Sequence, residues 1–528
     1  MVNYNLALSL YGHARLSPQR LALSAGGRDF TYGELATLAQ SIGAWLPREA
    51  HGRPGRVGIL ASRSAEACAG VLGTCWAGGT YVPISLKLPE ERVRDICTRA
   101  GLAALITDDT GLRLLSEDVL AAVAGRVLVS DKSRLSPRLR ARAKMPDDFA
   151  ALSPRFDLSE PAPVKADDIA YIEFTSGTTG APKGVMIPAG AVHHYLSVMQ
   201  RRYGFTPEDR IAETADLCFD LSTGNMFTTW GAGASLHVVP ATQAMAPTKF
   251  IQQHALTVWC SVPSIIAMLQ QMRLLPAGAF PTLRYSMFIG EPLPRRSVLD
   301  WRAAAPNSVV DNLYGPTEAT VACLGQRIVE PLAITAERDV VAIGQPFPQT
   351  EVAIVGPTRE ALPAGAVGEI ALAGPQLAVG YLDAPELTAA RFPIFAGTRW
   401  YLTGDLGRRD GAGVFHHLGR IDNQVKVMGN RVELEEIDGH LQAVCESALA
   451  VAVAWPVAHG TASGIVAFVA GTALDPAQIK DALRHRLPSY MVPAAVYCLG
   501  SLPTGASGKI DRKALLAMLE NKHERRHA

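Results

Sequence analysis

The sequence has no excess of charge of either sign and no long apolar run. Its 528 residues contain 50 Lys and Arg against 49 Asp and Glu, which gives a formal net charge of +1. This balance gives no sign of a nucleic acid or an anionic membrane as a partner. No uninterrupted apolar stretch reaches the roughly 18 residues of a membrane-spanning helix, and the start lacks the pattern of a secretory leader. We therefore expect a cytoplasmic protein with no membrane and no nucleic-acid partner.

Cysteine motifs are also missing. The eight cysteines include no C-x-x-C pair and no Cys/His cluster with zinc-finger spacing. A disulfide framework is not expected in a long chain without a secretory leader, so buried free thiols are predicted. Two adjacent histidine pairs occur, at residues 193–194 and 416–417. Neighbours on a strand or helix point apart, which favours core or surface histidines over a metal site.

The apolar fraction is 48% and the charged fraction only 19%, which predicts large cores and excludes a mainly disordered chain. Residues 56–61 resemble a buried strand, residues 64–76 a helix, and residues 77–84 a turn into another strand. This rhythm predicts an α/β protein with parallel sheets and helices on their faces.

The pattern of predicted strands changes towards the C-terminal end of the chain. From about residue 349 the predicted strands are shorter and often antiparallel, and we predict a domain boundary near residues 419–423. Beyond it lies a compact segment with the size of a small α+β domain. We predict a large domain over residues 1–421 and a small domain over residues 422–528, with a frayed charged tail at 520–528.

The most informative stretch is YIEFTSGTTGAPKGVM at residues 171–186. A predicted strand runs into hydroxyl residues and glycines, and then into Lys183. Glycines let backbone N–H groups turn inward, hydroxyls add neutral donors and the lysine adds positive charge, which together suit a polyphosphate. The spacing is not that of a Walker loop.

This stretch resembles the phosphate loop of the adenylate-forming superfamily, which includes acyl-CoA ligases, luciferases and the adenylation domains of nonribosomal peptide synthetases. Further stretches resemble that family's motifs in the same order along essentially the whole chain. They are residues 312–320, 368–374, 401–405, 419–437 and 507–513. The resemblance implies a large N-terminal domain of stacked α/β subdomains and a small, mobile α+β C-terminal domain.

The resemblance implies ATP and Mg²⁺ as cofactors and a reaction in which a carboxylate attacks the α-phosphorus of ATP. Tyr314 and Asn312 would contact adenine, Thr317 the α-phosphate and Asp405 the ribose, while Glu318 would hold the magnesium ion. Lys509 is the implied catalytic residue, bridging the substrate carboxylate and the α-phosphate. The implied ATP-binding residues are Thr175, Ser176, Gly177, Thr178, Thr179, Gly180, Lys183, Asn312, Tyr314, Thr317, Asp405 and Arg420.

A hinge is also implied by the resemblance. Asp422 stands where the family's small domain rotates between adenylation and thioester formation. Lys509 would enter the site in the first pose, and residues 426–429 would face the incoming thiol in the second. Such a hinge absorbs a change in backbone angles and does not touch the chemistry.

The class of carboxylic acid substrate is indicated by Phe219 and Asp220, which resemble the Phe-Asp pair of the peptide-synthetase branch. Burying a carboxylate costs free energy unless a cation pairs with it. The α-ammonium group of an amino-acid substrate would be such a cation, which explains a buried aspartate at position 220. The rest of the implied pocket is uncharged, which disfavours a charged side chain. The pocket residues are Asp220, Leu221, Gly224, Cys260, Met287, Ile289, Gly290, Leu313, Val321 and Ala322.

The larger aliphatic residues of this pocket reduce the space left for a substrate. The small residues Gly224 and Ala322 are expected to leave room for it. A small or medium aliphatic amino acid, alanine-like or proline, fits this composition best. The chain is similar to D-alanyl carrier protein ligases and related enzymes. Ile289 departs from the cysteine that those ligases tend to have, which leaves D-alanine itself open.

The thiol that accepts the activated acid is predicted from the length of the segment after residue 513. This segment is too short for a carrier module. We expect a stand-alone, monomeric enzyme that loads the phosphopantetheine thiol of a separate carrier protein. The alternative is an AMP-forming acyl-CoA ligase acting on a non-amino carboxylic acid. A luciferase, or a member that binds without catalysis, is less favoured because Lys183, Glu318, Asp405 and Lys509 are all present.

Overall fold

A computed structural model describes residues 2–50, 52–140, 146–153, 157–175, 182–427, 429–458, 461–504 and 510–527. Backbone contacts divide the chain into two compact units. The larger unit comprises Met1–Leu86, Arg94–Phe174 and Gly184–Gly419, and the smaller unit comprises Lys87–Val93, Thr175–Lys183 and Arg420–Ala528. The predicted assignment of separate functions to residues 1–421 and 422–528 stays a prediction.

The helices of the described residues are given in chain order. They are α1 (Leu8–Leu16), α2 (Tyr32–Trp45), α3 (Ala65–Trp76), α4 (Glu90–Ala100), α5 (Glu117–Ala121), α6 (Pro137–Arg140), α7 (Ala189–Tyr203), α8 (Asp220–Ala232), α9 (Thr248–Gln253), α10 (Ser264–Gln271), α11 (Arg295–Ala304), α12 (Pro385–Arg391), α13 (Leu434–Cys445), α14 (Pro476–Arg484) and α15 (Arg512–His527). No helix in this part of the chain is both long and apolar enough to cross a membrane.

The strands are numbered in the same way. The first eighteen are β1 (Leu21–Ala25), β2 (Arg28–Thr31), β3 (Arg56–Leu60), β4 (Thr80–Pro83), β5 (Ala104–Thr107), β6 (Arg126–Val129), β7 (Asp147–Asp148), β8 (Ile169–Thr175), β9 (Lys183–Pro188), β10 (Arg210–Glu213), β11 (Ser235–Val238), β12 (Val258–Ser261), β13 (Tyr285–Ile289), β14 (Val309–Tyr314), β15 (Leu324–Arg327), β16 (Ile334–Thr335), β17 (Val340–Val341) and β18 (Gln345–Pro346). The others are β19 (Glu351–Val355), β20 (Gly368–Ala373), β21 (Gly380–Tyr381), β22 (Ile394–Phe395), β23 (Thr398–Arg399), β24 (Tyr401–Arg409), β25 (Phe415–Arg420), β26 (Gln424–Val427), β27 (Asn430–Glu433), β28 (Ala450–Ala454), β29 (Val457–Ala458), β30 (Thr461–Ala462), β31 (Ile465–Ala470) and β32 (Ala495–Leu499).

Two large sheets carry the fold of the larger unit. One has eight strands in the order β21-β9-β8-β4-β3-β5-β6-β7, and the other has nine in the order β18-β15-β14-β13-β12-β10-β11-β1-β2. Their central strands pair in parallel, for example β3 with β5 and β12 with β13. Parallel strands covered on both faces need continuous apolar runs, and β3 and β5 supply them with buried Val, Ile, Leu and Ala side chains. The predicted α/β class is confirmed.

A third sheet, β19-β20-β24-β25, is antiparallel where its pairing is described. It corresponds to the shorter strands that the sequence predicts beyond residue 349. In the smaller unit, the sheet β28-β31-β32 packs α13 and α14 onto one apolar core.

The chain end differs from expectation. The prediction of a frayed tail is wrong for residues 520–527, because α15 continues to His527, and residue 528 lies outside the described residues. Its composition explains the difference, since Ala, Leu, Lys, Glu and Arg are strong helix formers. Leu515 and Leu519 bury in a cluster with Val451 and Phe468, which anchors the first turns of the helix.

Candidate active site

The first part of the site lies where β14 ends opposite β24. The hydroxyl of Tyr314 donates to Oδ2 of Asp405 at 2.5 Å. Asp405 is only 7% exposed, and its backbone N–H donates to Oγ1 of Thr403 at 3.0 Å. Burial, and then the negative charge of Asp405, raise the pKa of Tyr314 well above its ordinary value. The phenol therefore stays protonated and remains a hydrogen-bond donor.

Two residues that sequence reasoning missed complete this part of the site. Nε2 of His417 lies 3.3 Å from Oδ1 of Asp405, and Nη1 of Arg338 lies 2.7 Å from Nδ1 of His417. Because a guanidinium can only donate, we assign Nδ1 of His417 as the acceptor and Nε2 as the protonated nitrogen. We call Arg338, His417, Asp405 and Tyr314 the Asp405 corner.

Asn312 lies two residues before Tyr314 on β14 and is buried. Its Nδ2 donates to the carbonyl of Ala342 at 2.9 Å and approaches that of Val341 at 3.4 Å. Its Oδ1 is buried without a hydrogen-bond partner among the residues that the structure describes. A buried acceptor of this kind needs a donor, which an ordered water or a ligand can supply.

A single 3₁₀ turn over Thr317–Ala319 brings two buried carboxylates close together, that of Glu318 within the turn and that of Glu173 beside it. Glu318 is fully buried and accepts from the hydroxyl of Tyr381 at 3.0 Å. Oγ1 of Thr317 lies 3.4 Å from Oε1 of Glu173, which is also buried. Within the described ranges no three His, Cys, Asp or Glu side chains group as a metal cage. One carboxylate acting together with substrate phosphates suits Mg²⁺, so Glu318 fits that role.

The second part of the site surrounds Asp220, the first residue of α8. Its Oδ2 accepts from the backbone N–H of Val321 at 3.1 Å. The phenols of Tyr81, Tyr171 and Tyr195 are buried around it, and burial followed by nearby charges, including that of Asp220, raises the pKa of each well above its ordinary value. The phenols are neutral, so a carboxylate set among them favours a cationic partner.

An apolar wall adjoins Asp220 and contains most of the predicted pocket residues. In register, Cys260 pairs with Met287 across β12 and β13, and Ile289 pairs with Leu313 across β13 and β14. Gly290 follows β13 directly. The side chains that form one cluster are Cys260, Met287, Ile289, Leu313, Val321 and Ala322, with Leu221 packed against them and Tyr195 as a further member. We call this cluster with Asp220 and Gly224 the Asp220 pocket.

One expectation about this pocket needs correction. From the composition of the pocket, we expect Gly224 to leave extra space for the substrate. A Cβ placed on Gly224 would lie 2.9 Å from the hydroxyl oxygen of Tyr195, which shows that the phenol occupies this space. Tyr195 lies on α7, 29 positions earlier, and no local pattern links the two residues.

Gln376 holds the loop that forms one side of the pocket and was also missed. Its Nε2 lies 3.2, 3.1 and 2.7 Å from the carbonyl oxygens of Ala319, Thr320 and Ala322. Thr320 and Val321 adopt φ angles of +53° and +64°, which side chains other than glycine rarely take. Nδ1 of His194 lies 3.1 Å from Oε1 of Gln376. These contacts stabilise a strained loop next to Asp220.

Other predicted residues belong to the smaller unit. Nζ of Lys183 lies 3.5 Å from Oε1 of the buried Glu433, which also accepts from Gln424 at 2.7 Å. Arg420 donates from Nε and Nη2 to the two carboxylate oxygens of Asp422, at 2.7 and 2.6 Å.

Thr175 ends β8, and its Oγ1 has no hydrogen-bond partner among the described residues. Several predicted residues lie outside the described residues. They are Ser176, Gly177, Thr178, Thr179, Gly180 and Lys509.

Comparison with curated proteins identifies relatives that are much longer than this chain. Tyrocidine synthase 3 of Brevibacillus parabrevis is 34% identical over 507 residues, which are 94% of this chain and 7% of that protein. AMB antimetabolite synthetase AmbB of Pseudomonas aeruginosa is 35% identical over 506 residues, which are 95% of this chain and 38% of that protein. The chain thus spans well under half the length of these relatives.

Comparison with solved structures gives matches along the whole chain. The Vibrio cholerae adenylation domain AlmE, in complex with glycyl-adenosine-5'-phosphate, is 30% identical with a TM-score of 0.88, and the match covers 99% of this chain and 98% of that one. IdnL7 is 33% identical with a TM-score of 0.72, covering 99% and 100%. A family profile described as AMP-binding enzyme matches residues 10–382. With the fold and both parts of the site in place, this match shows that the chain belongs to the adenylate-forming family of AMP-binding enzymes.

Proposed function

We propose that this protein activates a small, uncharged amino acid as its aminoacyl-adenylate and then loads it onto a carrier protein. Adenylation enzymes of this family use ATP and form AMP. The observation that carries the amino-acid assignment is Asp220. Its carboxylate lies at the N-terminal end of α8 among neutral phenols. The adjoining cluster of described residues consists of apolar and aromatic side chains. An α-ammonium is the partner that this arrangement favours.

In the proposal, ATP lies along the Asp405 corner and the neighbouring 3₁₀ turn. Asp405 accepts from the ribose hydroxyls, and the ring of Tyr314 lies against adenine. The unpartnered Oδ1 of Asn312 accepts from the exocyclic amine of adenine. Thr317 donates to the α-phosphate, and residues 175–180, Lys183 and Arg420 contact the phosphates and ribose.

Magnesium would be held by Glu318 together with phosphate oxygens. When bound, the ion neutralises charge on the phosphates. The chain's own contribution is to keep the Glu318 carboxylate buried and oriented by the Tyr381 hydroxyl.

The chemistry then proceeds in two steps. A carboxylate oxygen of the amino acid attacks the α-phosphorus, the bond to the bridging oxygen of the β-phosphate breaks, and pyrophosphate leaves. Lys509, carried by the small domain at residues 422–528, would offset the negative charge that develops. In the second step the thiolate of a carrier's phosphopantetheine attacks the adenylate carbonyl, and AMP leaves. Asp422, paired with Arg420, would be the hinge between the two steps.

The relatives support an amino acid as substrate. The solved AlmE structure contains glycyl-adenosine-5'-phosphate, which is the adenylate of the smallest amino acid. The apolar wall of the Asp220 pocket also supports an uncharged substrate side chain, such as that of alanine, or proline.

The test is ATP–pyrophosphate exchange with a panel of amino acids that includes D-isomers and proline, beside their des-amino counterparts. We expect exchange to depend on the α-amino group and to be strongest with small side chains. Equal exchange with short fatty acids would instead support the acyl-CoA ligase. Transfer is measured in parallel with a separate holo carrier protein and with free coenzyme A. Efficient transfer to coenzyme A without preference for any carrier would overturn the carrier assignment.

A further inference from the structure

The contact between Gly224 and Tyr195 says more about the substrate than the composition of the pocket does. Gly224 lies one helical turn after Asp220 on α8. A Cβ at this position would meet the Tyr195 hydroxyl oxygen at 2.9 Å and its ring carbons at 3.3 and 3.4 Å. The volume that a larger residue would take at position 224 is therefore filled by a phenol from α7.

Tyr195 is a buried member of the Asp220 pocket. The residue is 3% exposed and belongs to the same apolar cluster as Cys260, Met287 and Ile289. Burial, with the nearby Cys260 and Asp220, raises its pKa well above the ordinary value, so the phenol is neutral.

We propose that Tyr195 is the residue that sets the upper size limit of the amino-acid side chain. The phenol closes the pocket beside Asp220, so glycine, alanine and serine fit and leucine, norleucine and phenylalanine are excluded. The inference rests on the proposed amino-acid adenylation and deepens it, because it names the size class of the substrate and the residue that reads it.

The first experiment measures pyrophosphate exchange along a series of increasing side-chain length. The series runs from glycine through alanine, 2-aminobutyrate and norvaline to norleucine. In Tyr195→Ala we expect kcat/KM for norvaline and norleucine to rise relative to alanine by about 10-fold or more, since one methylene is worth about 10–200-fold in a closed pocket. Tyr195→Phe keeps the ring and is expected to keep the wild-type length limit. An unchanged limit in Tyr195→Ala, or in Tyr195→Leu if the alanine variant does not fold, overturns the proposal.

The second experiment does not depend on activity. Gly224→Ala is expected to lower the midpoint of thermal unfolding, although alanine favours a helix more than glycine does. Gly231→Ala is the matched control on α8, because a Cβ there has no atom within 4 Å. Combining Gly224→Ala with Tyr195→Phe removes the nearest atom, so we expect the pair to be less destabilised than the sum of the two single changes. Strict additivity would show that the two side chains do not compete for one space.

The two experiments separate failure of this inference from failure of the proposed function. No exchange with any amino acid, in wild type and variants alike, would remove the proposed function. Exchange with amino acids but no change in the length limit would leave the proposed function intact and remove the role of Tyr195.

Discussion

The Asp405 corner and the Asp220 pocket share strand β14 but differ in the kind of side chain that builds them. The corner is a chain of polar groups in which Arg338, His417, Asp405 and Tyr314 contact one another over 2.5–3.3 Å. The pocket holds one carboxylate against an apolar wall. Directional contacts of the first kind suit a ligand that is always the same, whereas a wall of the second kind selects by size and shape. Substitutions should therefore affect the two regions in different ways.

The largest effect is expected in the Asp405 corner. Asp405→Asn removes the charged acceptor proposed for two ribose hydroxyls, and each hydrogen bond to a charged group is worth about 1.5–3 kcal/mol. We expect kcat/KM for ATP in pyrophosphate exchange to fall by about 10³-fold, with the rank order of amino acids unchanged. Asp410→Asn is the control, because Asp410 lies beyond the end of β24 and contacts His416. A changed amino-acid order in Asp405→Asn would contradict the separation of the two regions.

In the Asp220 pocket, Asp220→Asn keeps the shape of the side chain and removes its charge. We expect kcat/KM for the preferred amino acid to fall by about 10²-fold, in the range for truncating one partner of a buried charge pair. A des-amino acid of the same length should lose nothing, and the KM for ATP should hardly change. Equal losses for both acids would show that Asp220 does not meet the ammonium group.

A pH-dependent effect is expected from Glu213, which ends β10 near the pocket. Its Oε1 accepts from Asn225 Nδ2 at 3.2 Å and from the N–H of Ala215 at 2.9 Å, while its Oε2 is buried without a partner among the described residues. Burial raises its pKa to about 8. The folded state therefore holds this proton when the unfolded state has released it, so stability falls as pH rises from the unfolded pKa towards the folded one.

Glu213→Gln should remove this dependence. Relative to the variant, wild type is expected to lose about 2 kcal/mol of unfolding free energy between pH 5 and pH 7. The measurement is denaturant unfolding of both proteins across that range, and taking the difference cancels other titrating groups. A difference that does not vary with pH would contradict the raised pKa.

The smallest effect is expected from Gln376→Leu, which leaves the three carbonyls of the 319–322 loop without their shared donor. We expect a loss of about 1–2 kcal/mol in unfolding free energy, in the range for a buried group left unsatisfied. Since the loop positions Val321 against Asp220, KM for the amino acid should rise while KM for ATP changes little. A larger effect on ATP than on the amino acid would link the loop to the Asp405 corner instead.

The sequence was most informative where a motif places polar residues on one strand or turn. Asn312, Tyr314 and Glu318 stand within seven positions, and the structure places all three around the end of β14. The missed residues come from other elements: Arg338 precedes β17, His417 lies on β25 and Gln376 follows β20. Each acts through a contact across sheets or loops, so spacing along the chain carries no signal for it.

By itself, the sequence determined the fold class, the family and the chemical types in the site, because these depend on periodicity and on short stretches of contiguous residues. Only the tertiary structure decided which side chains share a space. In the sequence, Gly224 indicates a larger pocket. In the structure, the phenol of Tyr195 on α7 fills the space beside Gly224. His417 in the sequence is one of two neighbouring histidines, and its contact with Asp405 depends on the folding of β25. The physical reason is that volume and hydrogen bonding are properties of neighbours in space, and long-range packing alone sets those neighbours.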